Sequence, residues 1–327
     1  MRRLFPIVLL SVCAALAGCG GGDPDVVVYS GRSEPLIKPF LEEFADREDL
    51  DVQVRFADTA ALVGTVLEEG ENTRADVFIG QDAASLARLD QEGLLQAYEP
   101  ARRTPARFRA EDATWTGLSG RARVLIVPEG GEHPDSVFDL VDPRWKGRIA
   151  APIPSNVSFR DWVTAIRLER GDEFAREYLE GLKRNDLAVL ASHGEVRSAV
   201  GDGEFDIGLV NHYYVELEKQ EGSEVEAVYT DQEPGGFGAV FNVASAGITA
   251  HADNTENARK LMDYLLTPDV QERFARANFE YPVLPGLEAA PGVRPLGSFR
   301  TTDLSLEELG AASEATDELL KEVDLEG

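Results

Sequence analysis

Cysteine is almost missing from this 327-residue chain: only Cys13 and Cys19 occur, both near the N-terminus. Neither a disulfide framework nor a cysteine metal site is therefore available to the rest of the sequence. Histidine is scarce as well, and His133, His193, His212 and His251 are too scattered for a dedicated histidine metal cluster. Positive charge is in short supply, with 32 Lys and Arg against 59 Asp and Glu, a formal net charge of −27 and a pI near 4.5. Such a surface repels nucleic-acid phosphates and anionic membranes, which argues against a nucleic-acid partner. Past the first 18 residues no apolar run is long enough to cross a bilayer. A nucleophile elbow, a phosphate-cradling glycine loop and a His-Glu-x-x-His zinc helix are all absent, which disfavours an enzyme. What is present is 43% hydrophobic and 28% charged residues in a length that suits one large α/β unit or two lobes.

The first residues read as an export signal. Arg2 and Arg3 precede an uncharged apolar run from Leu4 to Ala17, interrupted by Pro6 and too short for a standard membrane span. The run closes on Leu16-Ala17-Gly18-Cys19, which resembles the bacterial lipoprotein signal, in which the cysteine thiol takes the lipid. Residues 1–18 are thus expected to be the signal peptide, Cys19 the lipidated N-terminus, and residues 19–25 a glycine-rich tether.

Beyond the tether, short β-branched runs alternate with helical spacing. Val26-Val27-Val28-Tyr29-Ser30 predicts a strand, and Ser33-Glu34-Pro35 opens a helix with Leu36, Ile37, Phe40, Leu41 and Phe44 on one face. Val52–Phe56 and Ala75–Ile79 predict further strands, each followed by a helix, so a largely parallel sheet is expected. Strands are also expected at Arg123–Val127, Ile149–Pro152, Asp206–Val210 and Val240–Val243. Ser158 with Asp161 resembles a capping box, and Ser305 with Glu308 opens a helix through Leu309, Leu319 and Leu320.

The conspicuous chemical feature is Tyr213-Tyr214 at the end of a predicted strand, because adjacent side chains can both face a cleft at a strand-to-helix turn. In open α/β sheets ligands bind at the carboxyl ends of strands. A phenol ionises near pH 10 and binds metal well only when a strongly acidic cation displaces its proton. Ferric iron, a hard cation that prefers anionic oxygen, is such a partner. Taken alone the doublet is weak evidence, since adjacent tyrosines are usually core or surface aromatics.

Six motifs in order carry a resemblance: Val28-Tyr29-Ser30-Gly31-Arg32, Ala75-Asp76-Val77-Phe78, Leu118 to Val124, Asp142 to Ile149, Asn211-His212-Tyr213-Tyr214 and Glu280-Tyr281-Pro282-Val283. Together they resemble the periplasmic ferric-iron-binding proteins, the bacterial transferrins that feed iron ABC importers, over Val26 to about Pro285. The resemblance implies an α/β, two-lobed periplasmic-binding-protein fold of type II with a hinge. Residues 26–122 and 234–285 would form the N-terminal lobe, and 123–233 with 286–327 the C-terminal lobe. It also implies Tyr213 and Tyr214 as tyrosinate ligands of ferric iron. The family's carboxylate position falls on Gln81, with Asp82 adjacent, and its histidine position on Ser33, which also suits a helix cap. A synergistic anion (carbonate, phosphate or citrate) would rest on Ser155, Asn156, Ser158 and Asn211, with Arg32, Arg121 or Arg123 supplying charge. His193 stands near a further anion contact, where the family has asparagine, and His212 is expected to face away from iron.

The role so implied is that of a monomeric, non-enzymatic solute-binding lipoprotein, exported and anchored facing the periplasm or exterior, which serves permease and ATPase subunits. The alternatives are a binding protein for another small anion, an iron chelate or a thiamine-like solute, an extracytoplasmic hydrolase, and a sensory or scaffold lipoprotein.

Overall fold

The alternation of strand and helix recurs in the computed structural model, which describes residues 23–326. The signal segment, Cys19 and most of the tether lie outside the described residues. The chain opens with β1 (Val26–Ser30), α1 (Glu34–Glu48), β2 (Val52–Phe56), α2 (Thr59–Glu69), β3 (Val77–Gly80), α3 (Ala83–Gln91) and the short β4 (Leu95–Gln96). Helix α1 buries Ile37, Phe40, Leu41 and Phe44, the spacing that places side chains on one helix face. Next come β5 (Thr116–Pro128), β6 (Ile149–Pro152), α4 (Val157–Arg170), α5 (Asp172–Arg184), β7 (Ala188–Leu190) and α6 (His193–Gly201). The chain continues through β8 (Ile207–Asn211), α7 (His212–Gln220), β9 (Val225–Val228), β10 (Phe241–Thr249), α8 (Thr255–Leu265), α9 (Pro268–Asn278) and β11 (Tyr281–Pro282), and ends with α10 (Leu306–Ala311) and α11 (Ser313–Val323).

The strand order is β2-β1-β3-β10-β5-β8-β6-β7. Within the first half β1 runs parallel to β2 and β3, and within the second β6 runs parallel to β7 and β8. The sheet is nevertheless mixed rather than largely parallel, because β10 is antiparallel to both β3 and β5, and β5 is antiparallel to β8 and β9. Strand β5 crosses between the halves, pairing with β10 in the first and with β8 and β9 in the second. Strand β5 is accordingly much longer than the Arg123–Val127 run: Thr116–Ala122 pairs with β10, and Arg123–Ile126 pairs with β8. Its first seven residues include Gly117 and Gly120, poor strand formers, and pairing on both sides overrides that preference. A side chain at Gly120 would collide with the Phe241 ring, 2.3 Å from where its Cβ would stand.

Two local expectations need correction. Helix α4 is capped by Asn156, whose side chain accepts from the Ser158 N–H at 2.9 Å, so Ser158 lies inside the helix and pairs with no Asp161 box. The tail holds two helices, not one; the Ser305/Glu308 capping box opens α10, and the chain breaks at Ala312 before α11. Gly310 lets α10 lie close on α3, since a Cβ there would stand 3.1 Å from the Ala84 Cα. Helix α11 packs on α4 and α5, so the tail touches both halves.

Candidate metal and anion site

A cavity of about 290 Å³ opens between the two halves, at the carboxyl ends of β6 and β8. Residues at the starts of four helices line it: Asp58-Thr59-Ala60 of α2, Ser155 to Ser158 of α4, His193 of α6, and Tyr213-Tyr214 of α7. Helix starts present unpaired N–H groups and the positive end of the peptide dipoles, so this convergence favours an anion.

Both tyrosines of the doublet face the cavity, with ring centroids 4.4 Å apart. The turn from β8 into α7 makes this possible, since consecutive residues of a flat strand would point to opposite faces. The Tyr214 ring also lies 5.0 Å from the His193 ring. The Tyr214 phenol is pushed up from its ordinary value, first by the neighbouring Tyr213 and then by burial, so it carries its proton until a cation displaces it. His212 turns away into the protein: its Nδ1 accepts from the Ala122 N–H at 3.2 Å, and its Nε2 donates to the Phe279 carbonyl at 2.8 Å. That pairing sets the neutral tautomer, and burial holds the ring neutral by lowering its pKa to about 4. His212 also stacks on Tyr281, and so pins the start of α7 to β5 and β11.

The three arginines differ. Arg32 is buried in a bidentate pair with Glu280, at 3.0 and 2.7 Å, and Ser119 donates to the same carboxylate. Burial alone would raise the Glu280 carboxyl, but the Arg32 charge and hydrogen bonds outweigh it and hold the group below its usual value. Arg123 donates to Asn211 Oδ1, to the Ser158 carbonyl and to Asp161. Its pKa is lowered to about 10, chiefly by burial. Arg121 is only 2% exposed and lines the cavity, and its Nη1 has no hydrogen-bond partner. An unpaired buried cation is costly, so Arg121 needs an anion.

The structure thus brings Tyr213, Tyr214, Gln81 and Arg121 to one cavity, together with Ser155, Asn156, Ser158 and Asn211. It does not bring Ser33, Asp82, Arg32 or Arg123 to its lining. Asp82 caps α3, accepting from the Ser85 N–H and hydroxyl at 2.7 and 3.1 Å. Ser33 occupies the N-cap position of α1 without a capping side-chain bond. Both ring nitrogens of His193 lack a partner, and its pKa falls to about 3 through burial and then Arg123. Sequence reading missed Arg160, which lines the cavity from the first turn of α4 and whose Nε is unpaired. The signal was available: a basic residue just after an N-cap opposes the helix dipole unless an anion stands there. Among the described residues no group of three His, Cys, Asp or Glu side chains is placed to hold a metal; the cavity lining carries two phenols and one carboxylate, Asp58.

The profile of the family described as bacterial extracellular solute-binding protein matches residues 26–280. Iron uptake protein A1 of Synechocystis is 28% identical, covering 96% of this chain and 92% of that protein. The apo ferric ion-binding protein A of Pasteurella haemolytica superposes with a TM-score of 0.84 at 30% identity, covering 92% of this chain and 98% of that one. A Trichodesmium protein in complex with iron and citrate superposes with a TM-score of 0.79 at 27% identity, over 92% of this chain and 99% of that one.

Proposed function

This chain belongs to the bacterial extracellular solute-binding protein family, and from that premise we propose that it captures ferric iron together with a synergistic anion and delivers the iron to an ABC importer. It is a two-lobed binding protein, not an enzyme. The observation that carries the reading is one cavity holding an adjacent tyrosine pair beside an unpaired buried arginine.

Charge explains why both are needed. Two phenolates leave a ferric ion with one positive charge, and Arg121 adds another, so the site calls for an anion of at least two negative charges. Phosphate, carbonate and citrate meet that need, and Ser155, Asn156 and Ser158 at the start of α4 offer hydroxyl, amide and N–H donors for it. Gln81 contributes a neutral amide from the opposite wall, and the one carboxylate there, Asp58, caps α2 through its Oδ1. Loading displaces two phenol protons and should weaken as pH falls. Hinge closure of the two halves on the cargo would then present a closed form to the permease. Lipid attachment at Cys19, with residues 19–25 as tether, would keep the protein at the membrane that holds the permease and ATPase subunits. Among the described residues no helix is long and apolar enough to cross a membrane.

The test is to titrate ferric iron from a competing chelator into the purified protein with and without carbonate, phosphate or citrate. A visible phenolate-to-iron band that develops only with an anion present is expected. A colourless iron-loaded protein would overturn the tyrosinate reading, and equal affinity in anion-free buffer would overturn the anion's part in it.

A further inference from the structure

Asp161 is buried in α4, at 1% exposure, and does not line the cavity. Its Oδ2 accepts from Arg123 Nη2 at 3.4 Å and from Asn242 Nδ2, and Arg160 stands 3.9 Å from Oδ1. Arg123 is thereby held with Nη1 on Asn211 Oδ1 and Nε on the Ser158 carbonyl at 2.9 Å. A guanidinium can only donate, so the Asn211 amide must turn its oxygen toward Arg123. Its Nδ2 then points the other way, donating to Ser158 Oγ at 3.2 Å and to Tyr213 Oη at 3.4 Å. On its far side the chain is anchored in the other half: Asn242 Oδ1 accepts from the Val243 N–H at 2.7 Å and from the Ala83 N–H at 3.4 Å, at the start of α3.

We propose that Asp161 is a positioning residue for the Tyr213 phenolate, acting through Arg123 and Asn211; this rests on the reading of Tyr213 as an iron ligand. The physical content is orientation: the Asn211 amide is aimed at the Tyr213 oxygen only while Arg123 holds its carbonyl. Arg123 in turn has one carboxyl acceptor within reach, Asp161, at 3.4 Å. Fitting a buried carboxylate and guanidinium behind a ligand costs more than apolar packing would, so their place is accounted for by the geometry they impose. The buried polar chain also joins the tyrosine side of the cavity to the N-terminus of α3, so the donor on Tyr213 depends on the two halves holding their relative places.

Asp161→Asn keeps the shape but removes the charge that holds Arg123, leaving a weaker neutral acceptor and an NH₂ group beside Arg160. Ferric iron supplied as ferric citrate should bind roughly tenfold more weakly, the size of one lost hydrogen bond to a charged group. The visible band should move to longer wavelength, because a phenolate that loses a donor holds its electrons less tightly. Asp161→Glu should restore part of both. In a Tyr213→Phe background, Asp161→Asn should add neither effect. An unmoved band with unchanged affinity, or equal effects with and without Tyr213, would overturn the assignment. Should Asp161→Asn fail to fold, Arg123→Lys reads the same link, since lysine keeps the charge but cannot span Asn211 and Asp161; an unmoved band there would also overturn it. A wild-type protein that loads iron without any visible band fails the iron reading itself, whereas a wild-type band that these variants leave in place fails only the role of Asp161.

Discussion

The two walls of the cavity are chemically unequal. The wall from the second half carries Tyr213, Tyr214, Asn211, His193, Arg160 and the start of α4, whereas the first-half wall carries Gly31, Asp58, Thr59, Ala60 and Gln81. The second wall holds the groups that can become phenolate ligands and the helix start at α4, while Arg121 reaches the cavity from the part of β5 paired with β10. The first offers small neutral groups and one carboxylate, Asp58, which is engaged in capping α2. On the proposed reading the second wall captures the cargo, and the first closes over it and excludes water. The arginines differ too: Arg32 is bound by Glu280, while Arg121, where the crossing strand β5 passes between the halves, leaves its Nη1 without a hydrogen-bond partner among the described residues.

The largest break in this comparison is Tyr213→Phe with Tyr214→Phe, which keeps the aromatic packing and removes both donors. Loss of an outer partner of a ligand typically costs about 10–100-fold in metal affinity, so loss of two ligands should exceed that. Iron content and the visible band should both vanish; retention of either would place the site elsewhere. Glu280→Gln comes next and acts on stability, since it leaves Arg32 buried and unmatched, at a cost of about 3–5 kcal/mol in urea unfolding. The sign with pH follows from the lowered Glu280 carboxyl: its contribution is fully present above the ordinary value of 4.5 and disappears as pH falls through the depressed folded value. Wild type and variant should therefore converge in acid; curves that stay parallel would exclude this origin.

Arg121→Gln should do the opposite to the fold. Removing an unmatched buried cation should leave the cargo-free protein as stable or more stable, while iron affinity in the presence of phosphate falls roughly 10–100-fold, the equivalent of one or two charge-assisted bonds. A destabilised protein with unchanged anion dependence would make Arg121 a structural residue. The smallest effect belongs to the first wall: Gln81→Ala should cost no more than about tenfold in affinity, within the range of one neutral hydrogen bond. A loss as large as that from the tyrosine pair would mean that both walls share the ligands. Gln81→Glu sharpens the same point, since a carboxylate there should lessen the need for the external anion.

Much of this was legible without the structure, for local reasons. Strand and helix alternate according to side-chain periodicity, which is why β1, β2, β6 and α1 lie close to where the residues alone place them. The tyrosine doublet also stands out in the sequence, because its chemistry and its place after an apolar strand need no distant partner to be seen. Strand β5 was half hidden, since its first part contains Gly117 and Gly120, which favour a strand only through pairing with β10 and β11. The break at Ala312 and the cap at Asn156 were also misread, each decided by how a helix end meets its neighbours.

The sequence by itself determined the α/β alternation, the acidic balance and the residues able to bind a hard cation, because these depend on side-chain chemistry and spacing along a few turns of chain. Which of three buried arginines is left for an anion was decided only in the tertiary structure. Arg32 meets Glu280 across 248 positions of sequence, and Arg123 meets Asn211 across 88 and Asp161 across 38, while Arg121, on the same strand face as Arg123, meets no acceptor. A guanidinium is the same group at all three positions; what differs is the partner that folding brings within about 3 Å, and in a buried site that partner decides whether the charge is neutralised or must find its counterion in the cargo.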